Sequence, residues 1–308
     1  MRTIVIGTRE SQLAVIQSKW IINELEKQDV PFNFELKYIS TKGDRNQNVA
    51  LSKVGGTGIF IQDIEEALFE KEIDFAVHSM KDLPAQIPEA FKIGAIPVRE
   101  DHRDAFIGRG KTLDELSQDA VIGTSSARRA AQLKAAYPHL QTKWIRGPVD
   151  ARIKQLEEGN YDGIILAVAG LKRLGLTDVI TQYLPAEKFT PAAGQGALAI
   201  ECRSDDEEIL QLLRKMNDSD VETAVWTERT FVNLLDQEDK APIGAYAFVK
   251  NGEIILYTSV SSVDGEHILT YNSRGTSIQQ VATEAANHLI GEGAEEIIKA
   301  AKLEIDKE

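Results

Sequence analysis

The sequence predicts an α/β protein: two similar domains of alternating strands and helices, followed by a small α+β domain with a three-stranded antiparallel sheet. Three observations carry that prediction. Val5-Ile6-Gly7-Thr8-Arg9-Glu10-Ser11 and Val121-Ile122-Gly123-Thr124-Ser125-Ser126-Ala127 share Val-Ile-Gly-Thr, and each joins a short β-branched run to a helical pattern across a tight turn. In both halves a later helix, near 61–71 and near 149–158, feeds a second apolar strand, Asp74–Val77 and Asp162–Leu166. Beyond about residue 218 the pattern changes to three short strand-like runs separated by Asn251-Gly252 and Asp264-Gly265, which are strong hairpin signals.

The elements follow in order. Thr3–Ile6 is a β-branched run ending at Gly7, and Leu13, Ile16, Trp20 and Ile21 then recur at helical spacing up to about Leu25. Ala127–Tyr137 is rich in alanine, leucine and arginine, all good helix formers. Ile96-Pro97-Val98-Arg99-Glu100-Asp101 and Thr190-Pro191-Ala192-Ala193-Gly194-Gln195-Gly196 flank the second half and are punctuated by Pro and Gly. They read as a double crossing, which predicts domain 1 over 1–97 and 194–216, domain 2 over 98–193, domain 3 over 217–308, and a hinge. Domain 3 opens with a helix near 220–236, continues with strands at Ala245–Lys250, Glu253–Ser259 and His267–Tyr271, and closes with helices near 277–290 and 294–303.

A chain of 308 residues with 43% hydrophobic and 27% charged residues can bury substantial cores. No apolar run approaches the roughly 18–20 residues of a membrane-spanning helix. The net charge of −13, from 35 Lys and Arg against 48 Asp and Glu, opposes nonspecific attraction to nucleic acid or to anionic lipid. An anionic ligand must therefore meet a local positive site. The single cysteine, Cys202, excludes an intrachain disulfide framework and a cysteine-based zinc site, and His78, His102, His139, His267 and His288 lack metal-ligand spacing, so no metal is assigned. The N-terminal residues lack a secretory pattern, and no heptad or long apolar strip is present; a cytoplasmic monomer is the expectation.

Parallel α/β sheets bind ligands beyond the carboxyl ends of their strands. Arginines recur at strand ends and helix starts: Arg9, Arg128, Arg129, Arg146, Arg152 and Arg173. Guanidinium groups fork onto carboxylate or phosphate oxygens, and helix N-terminal amides and hydroxyls such as those of Thr124, Ser125 and Ser126 supplement them. The pattern suits a small polyanion; the competing reading is a set of solvated surface ion pairs. Gly55-Gly56-Thr57-Gly58 lacks the Lys-Ser/Thr ending of a P-loop and reads as a turn or a ligand-covering loop. Asp82, after Lys81 and before Pro84, reads either as a turn cap or as a carboxylate aimed at a ligand. Cys202 ends an apolar run and reads as a buried, inert thiol.

Gly7-Thr8-Arg9-Glu10-Ser11, Thr41-Lys42-Gly43-Asp44, Ser52-Lys53-Val54-Gly55-Gly56, His78-Ser79-Met80-Lys81-Asp82, Gly123–Ser126 with Arg128-Arg129, Ile145-Arg146-Gly147, Gly194-Gln195-Gly196-Ala197 and Glu228-Arg229, taken together, resemble the porphobilinogen deaminase (hydroxymethylbilane synthase) family from residue 1 to about 250. The resemblance implies that the first two domains are built like type II periplasmic binding proteins. It implies the coupling of four porphobilinogen molecules, with loss of ammonia, into hydroxymethylbilane in tetrapyrrole (heme) biosynthesis. Asp82 matches the catalytic aspartate, and Arg9, Ser11, Arg128, Arg129, Arg146, Arg152 and Arg173 match positions that bind cofactor and substrate carboxylates; Lys81, Thr124, Ser125, Ser126 and Gln195 complete the candidate set.

The resemblance also implies a dipyrromethane cofactor held by a cysteine thioether in a loop of domain 3. Here that loop, Asp236–Gly244, places Asp239 at the cysteine position. Thr57, Gln62 and Pro148 stand where lysine, lysine and asparagine are usual, and Asp236, Glu238 and Asp239 would repel a primer's carboxylates wherever they face it. Two readings follow: a deaminase whose primer is held some other way, and a noncatalytic homologue that binds porphobilinogen, a linear tetrapyrrole or another polycarboxylate.

Overall fold

The structure is a computed structural model that describes residues 1–41, 61–237 and 241–305. The chain divides into two compact units, Met1–Glu100 with Ala197–Glu222, and Asp101–Gly196 with Thr223–Glu308. It passes between them at Glu100–Asp101 and Gly196–Ala197, beside the Pro- and Gly-punctuated segments of the sequence, and again within a helix at Glu222–Thr223.

In the first unit, strands β1 (Arg2–Arg9), β2 (Phe32–Ile39), β3 (Phe75–Ser79), β4 (Phe91–Ala95) and β10 (Leu198–Arg203) form a sheet in the order β2-β1-β3-β10-β4. Helices α1 (Gln12–Glu26) and α6 (Glu207–Arg214) cover one face, where Ile4, Ile6, Phe75, Val77, Leu198 and Ile200 meet Ile21, Leu25, Ile209 and Leu213. Helix α2 (Gln62–Phe69) covers the other through Ile64, Ala67 and Leu68. Each such fully buried side chain contributes about 1.5–3 kcal/mol.

The second unit repeats the plan. Strands β5 (Asp104–Ile107), β6 (Val121–Gly123), β7 (Gln141–Lys143), β8 (Gly163–Ala167) and β9 (Gln182–Leu184) take the order β7-β6-β8-β5-β9. Helix α3 (Ala127–Ala136) packs on one face, and α4 (Val149–Glu157) with α5 (Val168–Arg173) on the other. The two Val-Ile-Gly-Thr segments become equivalent strand-turn-helix units. Ser11 caps α1 by accepting from the Ala14 N–H, and Ser126 caps α3 by accepting from the Arg129 N–H, both at 3.4 Å.

The sheets are not wholly parallel, as alternation of strand and helix alone suggests. β10 runs antiparallel to β3 and β4, and β5 antiparallel to β8 and β9. Both are the first strands after a crossing segment, so their direction is set by where the chain enters the sheet rather than by a preceding helix of the same sheet.

The second unit also holds α7 (Ser219–Leu235, from Thr223 onward) and the meander β11 (Ile243–Lys250), β12 (Glu253–Ser261) and β13 (Ile268–Gly275), with α8 (Ile278–Gly291) and α9 (Ala294–Ile305) on one face. Asn251 (φ 54°) and Gly252 (φ 77°) make the two-residue turn between β11 and β12 that their sequence predicts. β13 extends four residues beyond the expected Tyr271, because its pairing continues to Gly275 opposite Ile254. Gly265 (φ 75°) permits a close approach to α3, where a Cβ would fall 2.4 Å from the Ala131 carbonyl oxygen. Glu228 on α7 is fully buried and accepts from the backbone N–H groups of Gly194 and Ala247 at 2.6 and 2.7 Å, fastening the 190–196 segment to this sheet. No helix among the described residues is long and apolar enough to cross a membrane.

Candidate functional site

At the carboxyl edge of the second sheet, Asp104 opens β5 opposite Ala167, the last residue of β8. It is 1% exposed and lies at the centre of a polar network. Arg128 donates to Asp104 Oδ2 at 2.9 Å, Arg129 to Oδ1 through Nη2 at 2.7 Å and Nε at 3.0 Å, and Gln195 to Oδ1 through Nε2 at 2.9 Å. Arg128 also donates to the Thr190 carbonyl, Arg129 to that of Ile165, and Gln195 to that of His102. Burial alone would raise the Asp104 carboxyl, but the two guanidiniums hold it well below the usual carboxylate range. Arg128 is itself lowered by its burial, against the pull of Asp104.

Further guanidinium groups stand beside this network. Arg152 is pushed down to about 10, first by burial and then by the neighbouring charges of Arg129 and Arg146. Its Nε donates to the Gly147 carbonyl at 2.7 Å, the Arg146 guanidinium lies 5.3 Å from the ring centre of the exposed Trp144, and Arg173 donates to the Gly196 carbonyl at 2.9 Å. Arg129, Arg146 and Arg152 are close enough to repel one another, an environment that a carboxylate ligand relieves. Thr124 accepts from the Ser126 N–H, Ser125 is exposed, and Ser126 is the α3 cap, so the start of α3 presents its hydroxyls beside Arg128 and Arg129.

In the first unit, Arg9 ends β1 and the Ser11 hydroxyl caps α1. β3 ends at Ser79 and passes into a single 3-10 turn, Met80–Asp82. That turn is tied down by the Met80 N–H to the Ala197 carbonyl and by Gln17 Nε2 to Ser79 Oγ, both at 3.0 Å. Lys81 and Asp82 are half-buried, and no described residue donates a hydrogen bond to the Asp82 carboxylate, so it is not serving as a cap among these residues.

The sequence pattern did not single out Asp104, although an acid opening a short apolar strand is an available signal for a buried partner. Arg128, Arg129 and Gln195 are expected as ligand contacts; the structure turns their donors inward to Asp104, Thr190, Ile165 and His102. Asp236 is buried, accepts from the Ala241 N–H at 2.8 Å and pairs with Lys302 of α9 at 2.6 Å, so its charge is matched within the fold. Gln62 opens α2 and is exposed, and Pro148 occupies the N-cap of α4 without the side-chain hydrogen bond an asparagine could make there. Asp239, Glu238 and the glycine-rich segment with Thr57 lie outside the described residues.

A family model described as porphobilinogen deaminase, dipyromethane cofactor binding domain, matches residues 4–211. The chain belongs to the porphobilinogen deaminase family. A porphobilinogen deaminase of Oceanobacillus iheyensis is 50% identical over 309 residues, covering 100% of both chains, and one of Bacillus cereus is 51% identical over 307 residues, covering 99% of both. Among solved structures, the methionine binding protein MetQ is similar with a TM-score of 0.45 at 13% identity, over 71% of this chain and 91% of that one. The two five-stranded sheets share one strand order, β2-β1-β3-β10-β4 in the first unit and β7-β6-β8-β5-β9 in the second.

For the dipyrromethane cofactor of this family, the fit divides. Arg146 and Arg152, whose charges repel one another, suit its carboxylates. A thioether has no usable sulfur: Cys202, the only cysteine of the chain, is fully enclosed in β10, and burial pushes its thiol up to about 12, so it supplies neither access nor thiolate. Covalent attachment of the family's kind does not fit these residues.

Proposed function

We propose that this protein binds porphobilinogen and the linear pyrrole chains built from it, and couples porphobilinogen units without a thioether-linked primer. The observation that supports the reading is the mutual repulsion of the Arg146 and Arg152 guanidiniums beside the Asp104 network, together with an Asp82 carboxylate that no described residue caps. Porphobilinogen carries an acetate and a propionate, which the arginines bind by charge-assisted hydrogen bonds. Arg128 and Gln195 serve by holding Asp104 and Arg129 in place. When the C–N bond of the protonated aminomethyl group breaks, its electron pair leaves with the nitrogen as ammonia, and the pyrrole is left as an azafulvene-like cation. Asp82 stabilises that charge where it develops; the free α-carbon of a second pyrrole then attacks the exocyclic methylene carbon, and loss of that carbon's proton to solvent restores its aromatic ring.

A second reading, a noncatalytic member of the family that binds the same polycarboxylates, is favoured by the buried thiol of Cys202 and by Asp239. The deciding measurement is intact mass under denaturing conditions, before and after incubation with porphobilinogen, alongside assay of hydroxymethylbilane. Added dipyrromethane mass followed by further pyrrole steps would show another residue anchoring the chain and overturn noncovalent priming. An unmodified mass with product formed supports the first reading; an unmodified mass with no product supports the second. In the last case, Asp239→Cys is expected to acquire a pyrrole adduct if that position alone prevents priming.

A further inference from the structure

β3 carries a second set of polar groups that this reading leaves unused. His78, four residues before Asp82, is buried, and its Nε2 lies 2.9 Å from Oε2 of Glu201 on β10. The antiparallel register sets His78 opposite Ala199 and Glu201 opposite Ala76, so the pair is a diagonal contact on one face of the sheet. Helix α2 covers that face and brings Glu65 within electrostatic range of both. Glu201 is 0% exposed, and its second oxygen, Oε1, has no hydrogen-bond partner among the described residues. A buried carboxylate oxygen left bare is costly unless a proton or a donor reaches it.

Other charges near this cluster, among the described residues, have partners of their own or stand at its edge. Arg203 on β10 donates to the Leu68 and Ile73 carbonyls and pairs with Asp206, and Lys37 on β2 pairs with Glu72. Arg9 stands at the end of β1 on the same face; on α2 itself Glu66 is exposed and Asp63 half-buried. The cluster thus holds two carboxyl groups against one imidazole. Burial first, and then the Glu201 charge, raise the Glu65 carboxyl to about 6, with His78 opposing.

We propose that Glu65, Glu201 and His78 act as a proton-holding latch on β3: with one carboxyl protonated the strand end is held, and with both ionised their repulsion inside the sheet shifts the turn that carries Lys81 and Asp82. The three are positioning residues. The inference rests on the reading of Asp82 as the functional carboxylate.

The test uses the full chain as wild type, Glu65→Gln and Asp82→Asn, with thermal midpoint and porphobilinogen affinity measured from pH 5 to 8.5. A carboxyl raised in the folded state makes stability greatest below its ordinary value, and that stability is lost as pH rises through about 6. The wild-type midpoint is therefore expected to fall across that window, and Glu65→Gln, a half-buried site that accepts the isosteric amide, to remove the step. The ratio of wild-type to Glu65→Gln affinity is expected to drop roughly threefold or more from pH 5.5 to 7.5, a change of the size typical of coupled sites. Superimposable midpoint profiles overturn the latch, and a removed step with a constant affinity ratio overturns its positioning role. Unaltered porphobilinogen binding and turnover in Asp82→Asn overturn the reading of Asp82 instead, while the midpoint profiles still decide the latch.

Discussion

The two five-stranded sheets share a strand order, and each includes one antiparallel strand bearing a buried acid, yet the acids are neutralised in opposite ways. Asp104 on β5 receives two guanidiniums and an amide, all its contacts at 2.7–3.0 Å. Glu201 on β10 receives one imidazole, has a second carboxyl for a neighbour and keeps one oxygen bare. Arginine keeps its proton throughout the physiological range, whereas imidazole and carboxyl groups titrate near it. The same architecture therefore houses one buried acid matched by guanidiniums and one that shares its surroundings with a second carboxyl, Glu65, raised to about 6.

The largest expected effect comes from removing the charge at Asp104. Asp104→Asn leaves Arg128 and Arg129 buried side by side without their counter-ion, and urea unfolding is expected to show a loss of about 3–5 kcal/mol; a loss below about 1 kcal/mol would mean that the carbonyls of Thr190 and Ile165 suffice. Glu201→Gln should cost less at pH 7, about 1–2 kcal/mol, because the amide still reaches His78 and no longer repels Glu65. Equal losses for the two would erase the contrast.

Binding sharpens it further. Truncating Arg128 and Arg129 would confound ligand loss with loss of the Asp104 network, so Arg152→Ala is the cleaner probe. Porphobilinogen affinity is expected to fall about tenfold, with a weaker salt dependence and little change in unfolding midpoint; titration calorimetry at two ionic strengths reads both. The smallest effect is in pH. The depressed Asp104 carboxyl contributes stability above its ordinary value near 3.8 that is lost only as pH falls below it. Between pH 5 and 8, Asp104→Asn should therefore lower the midpoint uniformly, and a pH-dependent loss would place a titrating group inside that network.

Much of the architecture was legible because it depends on neighbours in sequence. The repeated Val-Ile-Gly-Thr announced two strand-turn-helix units, Ser11 and Ser126 capped the helices that follow, and Asn251-Gly252 supplied the left-handed backbone a tight hairpin needs. The Phe32, Phe34, Leu36 and Tyr38 alternation of β2 was present but lay between louder signals, and β7 and β9, three residues each, are too short to show a period. The arginines were recognisable as a candidate anion-binding set, but which of them point inward was not. Asp104 meets Arg128 across 24 residues and Gln195 across 91, separations over which no local pattern operates.

By itself, then, the sequence determined the helices apart from α5 and α6, the hairpins, the duplicated plan, the family and the loss of its attachment cysteine. These follow from backbone propensity, capping and residue identity, which act within a few positions of one another. Only the tertiary structure decided that β5 and β10 run against their neighbours, that Asp236 is matched by Lys302, and that one buried acid is saturated while the other is left partly bare. Strand direction depends on where the chain re-enters a sheet, and the state of a charge depends on which groups are desolvated together.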